Sequence, residues 1–182
     1  MGVMAIEQLS ELGIVADRAD PRLVADLHAR RGRDLWGLAV RLGLSEEQAA
    51  DAVQETLLRL WTEVQRGARL ESADAWAFRT LYHLAMDQHR LRRRGLTLLD
   101  RLRADPPRHA EDLRASDERL AVWAEVDRLP VRQRAVVYLR YRADLPYEEI
   151  GEVLGVSASA ARSHAAQAMA TLRRRLGSAG GP

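Results

Sequence analysis

The apolar residues of this chain are spaced for helices. Over most of the 182 residues they recur at intervals of three and four positions, and no run alternates convincingly as a half-buried strand does. Pro106, Pro107, Pro130 and Pro146 fall between the periodic segments, where they interrupt no helix. The pattern therefore predicts an all-α protein.

The first block of the pattern contains three helices, predicted near residues 22–42, from Ser45 onward, and over about 73–94. Gly43 is placed to end the first helix, and Ser45 with Gln48 forms a capping box at the start of the second. We expect one apolar stripe on each helix to face a shared core. The predicted core residues are Leu23, Leu27, Leu35, Leu38, Leu42, Ala49, Val53, Leu57, Leu60, Val64, Ala77, Leu81, Leu84 and Leu91.

A polar stretch separates this block from a second one. Residues 103–119 hold a Pro-Pro pair, charges of both signs and almost no apolar periodicity, which is typical of a linker, although a surface loop within one domain is the alternative. Because each flanking block has its own apolar set, we expect two small helical domains joined by a flexible linker. The predicted limits are 1–21 for an N-terminal extension, 22–95 for the first domain, 96–118 for the linker, 119–177 for the second domain and 178–182 for a disordered tail.

The second block contains the sharpest local signal, the segment YEEIGEVLGVSASAARSHAAQAMATLRRRL. Gly155 stands where a tight turn needs a positive φ, Val156 can fill the corner, and Ser157 can cap the helix that follows. Small residues then follow at spacings of three and four, so that two helices can pack closely. The segment predicts a helix-turn-helix, and a plain helical hairpin is the alternative.

The exposed face of that last helix is the candidate reader of duplex DNA. Ser159, Arg162, Ser163 and Ala166 lie opposite the small residues, where a helix-turn-helix places side chains in the major groove. The arginines that follow, at positions 173–175, either contact phosphates or favour the C-terminal end of the helix dipole. Both interpretations remain open from the sequence.

Charge is sorted between the second and third helices. From Leu44 to Ala75 there are seven acids and three arginines, whereas from Arg79 to Arg103 there are seven arginines and two aspartates. An acidic helix beside a basic one indicates two different partners on one small domain.

On the acidic helix, Asp51, Gln54, Glu55 and Leu58 share one face away from the apolar stripe. A leucine among acids on an exposed face is typical of a protein-docking patch, and a plain solvated acidic face is the alternative.

The basic third helix has the composition of a single-stranded nucleic-acid site, because aromatic faces stack bases while arginines follow the backbone. One stripe of this helix carries Trp76, His83, Asp87, Arg90 and Arg94. Trp76, Phe78 and Tyr82 are the candidate pocket formers for an unstacked base, with ordinary core packing as the alternative for each.

Composition excludes several classes of protein. The chain has no cysteine, so a disulfide scaffold, a cysteine zinc finger and a thiol nucleophile are excluded. The five histidines are scattered, and the chain shows no HExxH spacing, phosphate-binding glycine loop or nucleophile elbow. No apolar run approaches the ~20 residues that span a bilayer. We therefore predict a non-enzymatic, cytoplasmic protein without a cofactor, a metal site or membrane insertion.

Three segments in this order resemble the extracytoplasmic-function group of bacterial sigma-70 factors: DAVQETLLRLW, then AWAFRTLYHLAMDQHRLRRR, then LPVRQRAVVYLRYRADLPYEEIGEVLGVS. The resemblance covers about residues 22–95 and 119–177. It implies a sigma region 2-like domain, a sigma region 4-like helix-turn-helix domain, and a function in promoter recognition, DNA melting and transcription initiation. A helix-turn-helix regulator that binds duplex DNA without acting as a polymerase subunit is the alternative.

The resemblance also implies roles for individual residues. A coiled coil of the largest RNA polymerase subunit is expected to bind Asp51, Gln54, Glu55, Leu58 and Trp61. The −10 element, as a melted strand, is expected to bind Trp76, Arg79, Tyr82, His83, Asp87, Arg90, Arg93 and Arg94. The −35 element, as duplex, is expected to bind Ser157, Ser159, Arg162, Ser163, Ala166 and Arg173.

Further partners follow from the same resemblance. The polymerase flap is expected to contact the second domain, and an anti-sigma factor is expected to hold the chain inactive. Such a protein would work in the cytoplasm, associated with the nucleoid.

Overall fold

The computed structural model describes residues 21–95 and 117–179, with side chains from 22–91 and 121–177. This described part of the chain contains seven helices and no strand, which confirms the all-α prediction. They are α1 (Pro21–Arg41), α2 (Glu46–Gln65), α3 (Ala73–Gly95), α4 (Asp117–Asp127), α5 (Val131–Tyr141), α6 (Tyr147–Leu154) and α7 (Ala158–Ala179). The predicted N-terminal extension, except Pro21, and almost all of the predicted linker lie outside the described residues. Residues 178 and 179 of the predicted tail continue α7.

The predicted helix boundaries in the first block agree with the structure. Gly43 ends α1 with φ of 95°, a conformation that glycine adopts without strain. The Ser45 hydroxyl accepts a hydrogen bond from the Gln48 amide at 3.2 Å, and the Gln48 side chain accepts one from the Ser45 amide, so the capping box is present. The glycine turn and the capping box together determine the short connection between α1 and α2.

Apolar stripes of α1, α2 and α3 meet in the core as their spacing predicts. Leu27, Leu35, Leu38, Leu42, Leu60 and Leu81 are completely buried. Phe78 on α3 is also completely buried, so the core-packing interpretation of Phe78 is confirmed. The prediction for Leu91 is wrong. Its side chain is 61% exposed, because it lies near the end of α3, where helical spacing continues although no helix among the described residues covers it.

Replacing Phe78 with alanine should lower the free energy of unfolding by about 3–5 kcal/mol, because it removes a fully buried ring and leaves a cavity. Urea denaturation followed by circular dichroism measures this change. Leu91→Ala is the matched control on the same helix and should change the free energy by no more than about 0.5 kcal/mol. Equal losses in the two variants would contradict this description of the core.

The second block is built around α5 and α7. Helix α7 packs against α4, α5 and α6. The small residues Ala161, Ala165 and Ala168 face the core and are nearly completely buried, so α6 and α7 approach closely. Leu139 and Ile150 of the same block are also completely buried.

The two blocks also contact one another. Helix α1 packs against α5, and α3 packs against α6. One continuous buried cluster therefore includes Leu38 and Leu81 from the first block and Tyr138 and Ile150 from the second. Burial raises the pKa of the Tyr138 hydroxyl far above its ordinary value, so this side chain stays neutral.

Candidate nucleic-acid and protein-docking surfaces

The acidic side of α2 forms an exposed face, here called the docking face, made of Asp51, Gln54, Glu55, Leu58 and Trp61. Leu58 is 62% exposed and Trp61 37% exposed, while the buried residues of α2 lie on its other side. Glu55 accepts a hydrogen bond from Arg59 at 2.7 Å one helical turn away. Helix α2 thus exposes apolar surface and carboxylates side by side, and its packing against the core uses neither of them.

Helix α3 presents a second exposed face, here called the capture face, made of Trp76, Arg79, His83, Asp87 and Arg90. Trp76 is half-buried and the other four are exposed. Asp87 accepts a hydrogen bond from Arg90 at 2.8 Å. The side chains of Arg93 and Arg94 lie outside the described residues. Tyr82 is separate from this face, because it is only 6% exposed and belongs to the core cluster.

Of the two interpretations of Tyr82, the structure therefore supports core packing, and its predicted contact with DNA is not available in this arrangement. Tyr82 directly precedes His83 in the sequence, but it lies on the side of α3 that faces the core. Helical spacing in the sequence cannot decide whether a residue at the border between core and surface is buried or exposed.

An open cleft lies where the docking and capture faces meet. Its volume is about 330 Å³. Trp76 and Thr80 form one wall from α3, and Glu55 and Leu58 belong to the α2 side. The remaining lining residues are Arg59, Thr62, Glu63 and Arg66. A cleft between a half-buried indole and basic side chains can hold a flat aromatic group beside a phosphate. The sequence did not predict that Trp76 shares a cleft with Glu55 and Leu58, because the two helices are separated by a loop of unknown path.

The helix-turn-helix forms as its turn residues predict. Gly155 adopts the left-handed conformation, with φ of 66° and ψ of 40°, and ends α6. The Val156 amide donates to the Gly151 carbonyl at 2.9 Å, and the Ala160 amide donates to the Ser157 hydroxyl at 3.1 Å. A Cβ atom added at Gly151 would lie 2.7 Å from the Val156 carbonyl oxygen, so glycine allows this close approach.

The reading face of α7 consists of Ser159, Arg162, Ser163 and Ala166. All four are exposed, as are Ser157 and Arg173. Ser163 donates from its hydroxyl to the Ser159 carbonyl at 3.1 Å, one helical turn earlier on the same face.

Arg162 is held by residues of the preceding helix that the sequence did not reveal. Its guanidinium lies 3.3 Å from the Glu148 carboxylate and 5.7 Å from the centre of the Tyr147 ring, and Arg140 also lies over that ring at 5.5 Å. The backbone amide of Glu148 itself and then Arg162 lower the pKa of the Glu148 carboxyl. Glu148 precedes Arg162 by fourteen positions, and such a spacing gives no signal in a helical pattern. These contacts place the Arg162 guanidinium against α6.

The described residues contain no group of three or more histidine, aspartate or glutamate side chains arranged to hold a metal ion. No helix in residues 21–95 or 117–179 has both the length and the apolar character needed to cross a bilayer.

Comparison with known families matches each block to one region of the same kind of protein. Residues 27–95 match the profile "Sigma-70 region 2", and residues 119–172 match "Sigma-70, region 4". These matches include the docking and capture faces in the first block and nearly all of the helix-turn-helix in the second.

Individual relatives agree with the two profiles. The ECF RNA polymerase sigma factor SigM of Mycobacterium tuberculosis is 31% identical over 162 residues, covering 83% of this chain and 76% of SigM. The ECF sigma factor SigL of the same species is 27% identical over 164 residues, covering 88% of this chain and 93% of SigL. In the solved complex of the sigma factor RpoE with the anti-sigma factor NepR from Bartonella quintana, the fold is similar, with a TM-score of 0.64 and 22% identity over 83% of this chain and 96% of that one.

Proposed function

The chain belongs to the extracytoplasmic-function group of sigma-70 RNA polymerase sigma factors, and from that premise we propose how its three exposed faces divide the work of initiation. The rival hypothesis of a free-standing DNA-binding regulator is not favoured, because it gives no reason for a sigma region 2 beside the helix-turn-helix. In the proposal, the first block docks on polymerase and captures a melted strand, while the second block reads duplex DNA.

The docking face binds the coiled coil of the largest polymerase subunit. The observation that carries this assignment is the exposure of Leu58 and Trp61 among carboxylates on a helix whose other side fills the core. An apolar centre with a charged rim is the usual composition of a protein interface. Charge on the rim speeds association, while the apolar centre supplies most of the affinity.

The capture face binds the −10 element as single-stranded DNA. Trp76 lines the cleft between α2 and α3 and offers a flat surface to an unstacked base. Arg79 and Arg90 are exposed along the same side of α3 and can follow the phosphates. Because the cleft also includes Glu55 and Leu58, docking on polymerase and base capture would take place side by side.

The reading face binds the −35 element in the major groove. Arg162 is its only arginine, and its guanidinium is paired with Glu148 and lies over the Tyr147 ring. A guanidinium fixed in this way can donate two hydrogen bonds to one guanine. Ser159 and Ser163 add hydroxyl groups on the same face.

Replacing Arg162 with alanine should weaken binding of −35 duplex by about 1–3 kcal/mol and relax the preference at one base pair. Fluorescence anisotropy with duplexes that differ at single positions measures both effects. Arg174→Ala is the matched control, since it removes the same charge from an exposed position of α7. It should weaken all duplexes alike. If Arg162→Ala also weakened all duplexes alike, Arg162 would be a phosphate contact and not a base reader.

The chain works in this proposal as an adaptor that supplies binding free energy and makes or breaks no bond. It acts where the polymerase acts, in the cytoplasm on nucleoid DNA. An anti-sigma factor is its proposed inhibitor, in line with the complex of RpoE with NepR. The polymerase flap is the proposed second contact, on the sigma region 4-like block.

The test of the whole proposal is run-off transcription with purified core polymerase and a library of promoters. The chain should direct transcripts from a subset of promoters that share −10 and −35 sequences. Loss of either element should abolish the transcript. If the chain neither bound core polymerase nor directed any transcript, the proposed function would be wrong.

A further inference from the structure

The carboxylate of Glu148 lies at the edge of the reading face. Its Oε1 atom is 3.3 Å from Nη1 of Arg162, and both side chains are exposed. A carboxylate beside a duplex-binding surface repels the DNA phosphates, so it lowers affinity for every sequence alike. If the reading face had only to attract DNA, a neutral or basic residue would serve better at this position. The acidic side chain therefore indicates a role other than attraction.

The start of α6 favours the Glu148 carboxylate where it lies. Glu148 belongs to the first turn of that helix, where backbone amides attract negative charge. The amide of Glu148 itself, and then the Arg162 guanidinium, hold the pKa of the carboxyl below its usual range. Most exposed ion pairs contribute little, because two flexible side chains must be ordered at once. Here the helix terminus helps to place one of the two, so the pair restricts mainly Arg162.

An aromatic ring lies against Arg162 next to this carboxylate. The Arg162 guanidinium is 5.7 Å from the centre of the Tyr147 ring, and the Arg140 guanidinium is 5.5 Å from it. Arg140 also donates to the Leu145 carbonyl at 3.2 Å and lies 3.4 Å from the Asp144 carboxylate. Contacts with the end of α5 therefore place Tyr147, and Arg162 of α7 lies against a surface that two other helices form.

These contacts leave donors of Arg162 available. A guanidinium carries five N–H groups, and Glu148 accepts from Nη1 alone. Within residues 22–91 and 121–177, Nε and Nη2 of Arg162 have no hydrogen-bond partner. In the major groove guanine offers two acceptors, O6 and N7, which match two N–H groups of one guanidinium. The Arg162 side chain can therefore bind Glu148 and a guanine at the same time.

A restricted arginine discriminates between sequences better than a free one. When guanine is missing, a free arginine can turn to a phosphate or a neighbouring base, and the new contact partly replaces the lost one. Contacts with Glu148 and Tyr147 limit the directions in which Arg162 can donate. A wrong base pair then leaves its donors without acceptors, and the full cost of the missing contact is felt.

We propose that Glu148 is a positioning residue that increases the preference of the reading face for guanine at the base pair that Arg162 contacts. The proposal rests on the proposed function of the reading face. Glu148 touches no base itself and acts through the Arg162 guanidinium. Its carboxylate lowers affinity for all −35 sequences, and it lowers affinity for wrong sequences more.

The test uses the full chain assembled on core polymerase and promoters that differ at single base pairs of the −35 element. The readout is the holoenzyme concentration that gives half-maximal run-off transcript. The preference is the ratio of this concentration without and with guanine at the base pair whose identity no longer matters in Arg162→Ala. Glu148→Ala should lower that ratio by about threefold or more. On promoters with a scrambled −35 element, it should lower the concentration needed by about twofold.

Two further variants separate the hydrogen bond from the charge. Glu148→Gln keeps an oxygen that accepts from Arg162, so it should keep most of the preference while still improving use of scrambled elements. Glu152→Ala is the matched control, since it removes the same charge from an exposed position one turn later on α6, and it should leave the preference unchanged. Loss of the preference in Glu148→Gln as large as in Glu148→Ala would overturn positioning through this hydrogen bond.

A double-mutant cycle tests whether Glu148 acts through Arg162. Adding Glu148→Ala to Arg162→Ala should leave the remaining preferences unchanged, because the side chain to be positioned is absent. An equal effect of Glu148→Ala with and without Arg162 would overturn the proposal. So would a wild-type ratio in Glu148→Ala, and so would a higher ratio, which would show that Glu148 competes with guanine for Arg162.

Failure of the proposed function gives a different result. If Arg162→Ala kept every base preference of the wild type, Arg162 would not read the −35 element, and Glu148 would have nothing to position. If Arg162→Ala lost one preference while Glu148→Ala kept it, the reading role of Arg162 would stand and only the role of Glu148 would be overturned.

Discussion

Reversing two charges on the docking face, Asp51→Arg with Glu55→Arg, should weaken binding of core RNA polymerase by at least about 100-fold while leaving the chain folded. Asp51 is exposed and Glu55 is half-buried, and the Glu55 carboxylate accepts a hydrogen bond from Arg59 of the same helix. Two reversed charges on the rim of an interface meet partner charges of like sign, at a cost on the order of 1.4 kcal/mol or more each, and each such loss is tenfold in affinity.

Affinity is measured by titrating fluorescently labelled chain with core polymerase, and folding by circular dichroism and urea denaturation. The matched control is Asp26→Arg with Glu152→Arg, which changes the net charge by the same amount at two other exposed positions. That control should bind as the wild type does. Wild-type affinity in the Asp51 and Glu55 variant would exclude this face as the polymerase contact.

Leu58 separates the two interpretations of the same face. If the face were only solvated, Leu58→Ala would change neither the stability of the chain nor its affinity for polymerase, because the side chain is 62% exposed and contributes little to the core. A docking face would lose affinity for polymerase without losing stability. An unchanged free energy of unfolding together with a weaker affinity for polymerase would therefore identify an interface. The sequence alone does not distinguish the two interpretations.

Local features of this fold could be predicted from sequence because they depend on neighbouring residues. The capping box at Ser45, the left-handed turn at Gly155 and the buried alanines of α7 each follow from residue type and spacing within one or two helical turns. Leu91 shows the limit of that reasoning. Its spacing is correct for the stripe, but whether a neighbouring helix reaches that turn depends on the lengths of other elements.

Contacts between the two blocks could not be predicted because no periodic pattern relates distant segments. Gly37 in the sequence is an unexplained glycine in a helix, and only the position of Tyr138 gives a reason for it. Arg134 likewise has the spacing of a surface residue, yet it is buried against carbonyl groups of Arg41 and Leu129, and burial lowers its pKa. The predicted domain limits stay a prediction, since the residues that would separate the blocks lie outside the described part of the chain.

Replacing Trp76 should impair promoter melting by about 5- to 150-fold while leaving binding of −35 duplex unchanged. Stacking of one base on an aromatic side chain contributes about 1–3 kcal/mol, and that contribution exists only once the base has left the duplex. Trp76 is half-buried, so alanine would remove packing as well as the stacking surface, and the two losses could not be separated. Trp76→Leu is the sharper variant, because it keeps apolar volume against the core and loses the flat ring.

Melting is measured by the fluorescence of 2-aminopurine placed in the −10 element, with core polymerase present and the chain in excess. Trp76→Phe keeps an aromatic face and should recover much of the signal, which a purely structural role would not explain. Binding of a single-stranded −10 oligonucleotide should weaken in Trp76→Leu by the same factor as melting, because both depend on one stacked base. If Trp76→Leu melted promoters as well as the wild type, the cleft between α2 and α3 would not hold a base. Only the arginines of the capture face would then remain as proposed DNA contacts. Equal losses of melting and −35 binding would point to a folding defect and contradict base capture as well.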